Sequence, residues 1–329
     1  MMSPGDPRTG CAGAIHAGTH RFTAEDAARL WSVAKLTSEA SGIRSLRWRA
    51  AFIAAALRNR AALLPLLRMG GSMAGVLERR PETLGAVVWP YISISWDAPL
   101  RLKRVQQHWS AVDAAVPALS ILPEDAWQVL DLGTLLPGLR LVLDCPKWFM
   151  REGQSVLNLF DGDTRIFSLA FSLRVDEGLT ATIGAIQGRD IEGALDTYRT
   201  VTGALHGMRP RDFLLEMFRA LCTGLDVVRI EAVTDASRHH RDRYFGDPAG
   251  KRFPMDYDEV WTERGGTARD ADFFDLPVAP VRRSLEAIAS KKRSMYRKRY
   301  DMLDELQGRL AHALSTGATE RAEAAPITR

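Results

Sequence analysis

The chain has 329 residues, 46% hydrophobic and 26% charged, with a net charge of +4. That balance excludes global disorder and accommodates one large domain or two modest ones. A bilayer span needs about 20 apolar residues, and the most apolar N-terminal run, residues 50–67, is broken by Arg58, Asn59 and Arg60.

Residues 1–22 read as a tail of small and breaker residues without an apolar signal core, so a cytoplasmic protein is expected. Cys11, Cys145 and Cys222 are odd in number and far apart, which suits neither a disulfide framework nor a zinc knuckle. Cys222 falls on an apolar helix face and reads as a core residue.

Residues 23–85 read as a helical N-terminal region. Leu30, Trp31 and Ala34 share one helical face, and a second helix over 46–69 sets arginines around an Ala/Leu-rich face before Gly70-Gly71 stops it. Residues 86–96 have the β-branched and aromatic character of a strand, with Pro90 pointing to an edge or a bulge. Helical spacing resumes over 101–116, and Pro117, Pro123 and Pro137 punctuate the link that follows. Residues 155–160 and 165–175 read as a hairpin around Asp161-Gly162-Asp163, with a third strand over 179–187. Two helices follow, over 190–205 and from Pro210 to Gly224. The strand V-V-R-I-E-A-V (227–233) is expected to pair parallel to an earlier one. The fold class is therefore α+β: a mixed sheet flanked by helices, with a helical N-terminal region and a basic C-terminal helix.

Charge is concentrated in residues 291–299, where Lys291, Lys292, Arg293, Arg297, Lys298 and Arg299 occur without an acid. Such a stripe suits nucleic-acid phosphate or an anionic membrane surface; equally, it packs on the acids of 256–259. Arg209 and Arg211 flank a helix start with Pro210 at its first position, a place that favours phosphate or carboxylate, or else a solvated helix end. His206 is a candidate acid–base group, or a histidine favoured by a helix C-terminus. Asp258 and Glu263, among aromatics, could act as a base, bind an amine or hold Mg²⁺; the alternative is an aromatic-anchored turn with a solvated acidic edge. His239 and His240 sit among arginines and, on a helix, would point apart, so no metal is expected there. A surface helix beside a substrate cleft is expected instead.

Six strings carry a specific likeness: W-P-Y-I-S-I-S-W (89–96) with Q-H-W (107–109), E-G-Q-S-V-L-N-L-F (152–160), I-G-A-I-Q-G (183–188), H-G-M-R-P-R-D (206–212), D-Y-D-E-V-W (256–261) and K-K-R-S-M-Y-R-K-R-Y (291–300). In this order they resemble the VirK/YbjX family of proteobacterial proteins, over residues 86–306, leaving 307–329 as a C-terminal tail. The resemblance implies a part in virulence, stress response or resistance to antimicrobial peptides, and no settled reaction. The order of elements is also similar to the core of acyl-CoA N-acyltransferases. That second likeness implies acyl-CoA as cofactor, with Gln187, Gly188, Arg209 and Arg211 facing it and Tyr244 near the leaving thiolate. The helix over 190–205 departs from that pattern by standing between the strand and the arginine-rich helix start. Three functions are thus expected: an acyltransferase-like enzyme, a non-catalytic regulator acting through the basic C-terminal helix, or a stress-response factor without catalysis acting through protein partners, with a location at the inner membrane's periphery open to each.

Overall fold

The computed structural model describes residues 21–38, 42–189, 193–246 and 255–316. Expectations for residues 1–20, Cys11, Asp190 and the Phe253-Pro254 step lie outside them.

Four helices open the described chain: α1 (Ala24–Leu36), α2 (Gly42–Arg58), α3 (Arg60–Leu67) and α4 (Gly71–Arg79). Thr23 and Asp26 form a reciprocal capping box that starts α1. The helices bury Leu30, Val33, Phe52, Leu63, Leu66 and Met73 and lead to α5 (Ala98–Ala115), capped by Asp97. The strands are β1 (Ala126–Asp131), β2 (Leu139–Asp144), β3 (Ser155–Asp161), β4 (Thr164–Val175), β5 (Leu179–Gly188), β6 (Val227–Val233), β7 (Thr267–Ala268) and β8 (Phe273–Leu276). Helices α6 (Ala194–Ala204) and α7 (Pro210–Gly224) join β5 to β6, α8 (Tyr257–Glu263) precedes β7, and α9 (Ser290–Thr316) ends the description.

The sheet order is β1-β2-β3-β4-β5-β6-β8-β7. All neighbours are antiparallel except β5 and β6, which run parallel as the two-helix crossover requires. That parallel pairing ends at Ile183 and Ala232, whereas β5 stays paired with β4 through Gly188. The last turn of β5 thus leaves β6, and the Tyr257 hydroxyl occupies the gap by accepting the Ile186 N–H at 3.2 Å.

Consecutive strand residues face opposite sides of a sheet. Phe171 meets Phe218 of α7, and the neighbouring Ser172 hydroxyl lies 2.5 Å from that of Tyr91, on the side of α5. Helices α5 and α7 therefore cover opposite faces. Helix α9 lies against α7 and β1, and runs past residue 306, where a tail was expected.

Three elements differ from expectation. Residues 86–96 are not a strand: a 3-10 helix (Pro81–Val87) runs into an irregular segment with isolated bridges at Tyr91 and Ser93. Its aromatic and β-branched residues are there to be buried, since Trp89, Tyr91 and Ile92 are core. Strands β1 and β2 fall in the proline-punctuated link, where each lies next to breakers that mask its pattern. The segment 235–244 holds two one-turn 3-10 helices (His239–Arg241, Arg243–Phe245) in place of a surface helix.

Candidate functional site

Glu152 stands just before β3, and two glycines put it over the sheet. A Cβ on Gly153 would lie 2.5 Å from the Phe171 nitrogen, and one on Gly184 would lie 1.9 Å from the Glu152 carbonyl oxygen. The chain can therefore cross β4 and rest on β5 only because both positions lack a side chain. Ile92, held at φ 54, fixes the crossing from above. It donates its N–H to the Arg151 carbonyl at 2.8 Å, and its own carbonyl accepts the His239 N–H at 3.0 Å. A β-branched residue in the left-handed region is strained, and strain of this kind gathers where a site must be held. The loop before β3 and the loop after β6 are stapled together by one residue.

The result is a buried carboxylate with one oxygen facing two adjacent imidazoles. Glu152 is 2% exposed and accepts the Gln187 Nε2 amide at 3.0 Å. Its Oε1 lies 3.7 Å from His239 Nε2 and 3.5 Å from His240 Nδ1, longer than good hydrogen bonds. Burial pushes the Glu152 carboxyl up to about 8, opposed by the charge of Arg238. Burial holds His239 neutral, its pKa well below the usual range, with His240, Arg151 and Arg238 pushing the same way. The His239 Nδ1 is buried without a hydrogen-bond partner among the described residues. His240 is the exposed member, with 42% of its side chain open to solvent.

The two rings lie 3.8 Å apart and both face Glu152, which corrects the expectation that they diverge. That expectation holds for an α-helix; here a single 3-10 turn sets the spacing. The ligand atoms of Glu152, His239 and His240 lie within 4.8 Å of one another, so these three could also hold a divalent cation.

Around the cluster, the Arg151 guanidinium sits 4.6 Å over the Trp89 ring and 4.9 Å over that of Tyr244, and reaches the Tyr244 hydroxyl at 3.3 Å. Arg238 lies over Tyr257 and pairs with Asp235 at 3.0 Å. Gln187 and Tyr244 are thus the expected site residues that this cluster and its surroundings bring together. Gly188 ends β5, where a Cβ would meet the Tyr198 hydroxyl at 2.6 Å.

The other expected site residues gather elsewhere. Arg211 pairs with Asp212 at 2.8 Å and with Glu263 at 2.5 Å, and Arg264 closes the network on Asp212 at 3.1 Å. The Arg211 hydrogen bond, the largest effect, lowers the Glu263 pKa. Arg209 is the N-cap residue of α7, without a side-chain cap bond. The His206 carbonyl accepts the Arg299 guanidinium at 2.8 Å, and a Cβ on Gly207 would lie 3.1 Å from the Met295 sulfur. The turn before α7 is therefore covered by α9. Asp258 accepts the Asp235 N–H at 2.7 Å and supports the loop after β6. In the basic stripe, Arg299 and Arg293 are tied to backbone carbonyls, while Lys291, Lys292, Arg297 and Lys298 are exposed. The stripe meets the turn at His206 through Arg299, where the acids of 256–259 were the expected partner.

Sequence reasoning passed over Glu152 and set His239 aside. The available signal was E-G-Q next to an apolar strand: a carboxylate followed by a glycine that lets backbones touch. In the strings Q-H-W and W-P-Y, His108, Trp109, Trp89 and Tyr91 are buried. Trp109 donates to Gln154 at 3.2 Å, and His108 accepts the Leu173 N–H at 3.0 Å. Burial lowers the His108 pKa to about 3. Cys145 and Cys222 are buried thiols with raised pKa, Cys145 at about 12.

The sequence pattern of the family described as "Protein of unknown function (DUF535)" matches residues 42–312. The chain belongs to this family. Among relatives in the family's range, two Haemophilus influenzae proteins, each described as uncharacterized, are 30% identical over 191 residues (57% of this chain, 62% of the relative) and 33% identical over 180 residues (54% and 59%). The Escherichia coli K12 protein YbjX, also described as uncharacterized, is 33% identical over 164 residues, 49% of each chain. The chain spans about half to three-fifths of the length of these relatives. No solved structure matches. Among the described residues no single helix is long and apolar enough to cross a membrane.

Proposed function

We propose that this DUF535 chain is an acyl-transfer enzyme that acylates an amine, with Glu152 as general base. The observation that carries the reading is the position of Glu152: a buried carboxylate facing two adjacent imidazoles, beside the gap where parallel strands β5 and β6 part. A base must be within reach of the proton it removes and have a pKa near working pH. The one parallel pair, set between antiparallel neighbours, supports the reading, while α6 stands between β5 and the arginine-rich helix start.

In this reading the amine nitrogen attacks the carbonyl carbon of a thioester such as acyl-CoA. The C–N bond forms, the C–S bond breaks, and the amine's proton passes to Glu152 and on to solvent by way of His240. The departing thiolate takes a proton from the Tyr244 side, where Arg151 already steadies the phenol. Gln187 orients the carboxylate. Because Arg211 is engaged by Asp212 and Glu263, the cofactor's phosphates would have to displace Glu263 or use Arg209 alone. An amine on an envelope component is the acceptor class that fits the resemblance to stress- and virulence-associated proteins.

The test is release of free thiol from acyl-CoA in the presence of amine acceptors, with Glu152→Gln in parallel. Loss of turnover in the variant with acyl-CoA binding kept is the expected result. Absence of binding and of thiol release with the wild-type protein would overturn the reading.

A further inference from the structure

Helix α2 presents an unusual outer surface. Residues 42–68 contain six arginines and no Asp or Glu. Of the eleven large hydrophobic residues exposed in the described chain, five lie between residues 31 and 57: Trp31, Leu36, Ile43, Leu46 and Leu57. A concentration of that kind needs a partner, because isolated exposed apolar side chains are ordinary but a local cluster is not.

The arrangement around the helix is ordered. At roughly 100° per residue, Leu46, Leu57, Ala50 and Ile43 fall within an arc of about 60°. Arg47, Arg58 and Arg44 occupy the adjoining arc of similar width on one side. All seven are exposed, while Ser45, Phe52 and Ala56, on the opposite side, are buried in the protein. Trp31 of α1 lies beside α2, its exposed ring 5.9 Å under the Arg49 guanidinium. An apolar strip edged by arginines and carrying a tryptophan is the pattern of a helix lying in a membrane interface, its apolar side chains among acyl chains and its arginines at anionic headgroups. Helix α3, bent by 92° from α2, buries Leu63, Leu64, Leu66 and Leu67 inside the protein, so only the α2 side is available to lipid.

We infer that the outer face of α2, with Trp31 of α1, docks the protein on the surface of a bilayer bearing anionic phospholipids. The charge decides the partner: four exposed arginines, Arg44, Arg47, Arg58 and Arg60, face outward with no acid within residues 42–68. This surface is separate from the basic stripe of α9, which carries exposed lysines but no exposed large apolar residue among residues 290–300. On its inward side α2 meets the surroundings of the Glu152 cluster, where Trp48 lies edge-on to the Tyr244 ring at 5.9 Å. The inference does not depend on acyl transfer and holds whether or not that reaction is found.

Co-sedimentation of the full chain with vesicles tests it, using phosphatidylcholine alone against a mixture with about a third phosphatidylglycerol. The wild-type protein is expected to bind only the anionic vesicles, and less as salt rises. Replacing Arg44, Arg47, Arg58 and Arg60 by Gln should weaken binding by at least about 100-fold. Changing Ile43, Leu46 and Leu57 to Ser should weaken it by at least about tenfold. All seven positions are exposed, and unchanged thermal melting would confirm that the variants fold. A variant with Lys291, Lys292, Arg297 and Lys298 changed to Gln should bind like the wild type. Wild-type protein left in the supernatant, or loss of binding confined to the α9 variant, would overturn the inference.

Discussion

The helix start at α7 and the cluster around Glu152 are both rich in charge, and they differ in how that charge is balanced. At α7, Arg211, Asp212, Glu263 and Arg264 satisfy one another, and α9 closes over the preceding turn. Around Glu152 a carboxylate and an imidazole are buried, contacts at 3.5 and 3.7 Å stop short of hydrogen bonds, and one ring nitrogen has no partner among the described residues. Paired charges hold a structure together. Buried titratable groups with few hydrogen-bond partners cost stability, and such groups concentrate at functional sites.

The largest effect should separate the two regions directly. Glu152→Gln is expected to lower kcat/KM by about 10²–10⁴, whereas Arg211→Gln should stay within about threefold. Equal losses in steady-state thiol-release assays would erase the distinction.

Next comes pH. The Glu152 pKa of about 8 lies above its ordinary 4.5, so between these values the folded protein keeps a proton that the unfolded chain has lost. Stability should therefore fall as pH rises from about 4.5 towards 8, by a few kcal/mol in all. His239 has the opposite sign: its pKa is lowered, so stability should also fall as pH drops below the ordinary 6.5. Urea titrations across pH would show the alkaline decline in the wild type and its absence in Glu152→Gln, and a variant with an unaltered decline would assign it elsewhere.

Gly184→Ala should destabilise by about 1–3 kcal/mol, because its Cβ would meet the Glu152 backbone. The same change should displace the carboxylate and reduce turnover. The smallest effect belongs to the helix start: Glu263→Gln, with a half-exposed side chain, should cost less than about 1 kcal/mol. A larger loss there, read from denaturant midpoints, would mean that the α7 network is more than local pairing.

These contrasts also show which parts of the molecule were legible in its sequence. Strands β3 to β6 and helices α5 to α7 follow from apolar periodicity and turn residues, because each buries a continuous face. The parallel pairing of β5 with β6 follows from the helices between them. Arg209 and Arg211 stood out because a proline-led helix start is a local pattern, though local pattern does not tell whether an anion or Glu263 answers the charge. Residues 86–96 misled because burial in an irregular staple selects the same aromatic and β-branched residues as a strand.

By itself, then, the sequence determined the α+β class, four of the eight strands (β3 to β6), the family likeness and the basic stripe of α9. Tertiary structure alone decided that Glu152, Gln187, His239 and His240 share one cluster. They come from three separate segments, joined by a crossing that Gly153 and Gly184 permit and Ile92 fixes. Contacts between backbones so distant in sequence leave no periodic trace, and the burial that sets the Glu152 pKa exists only once those segments have met.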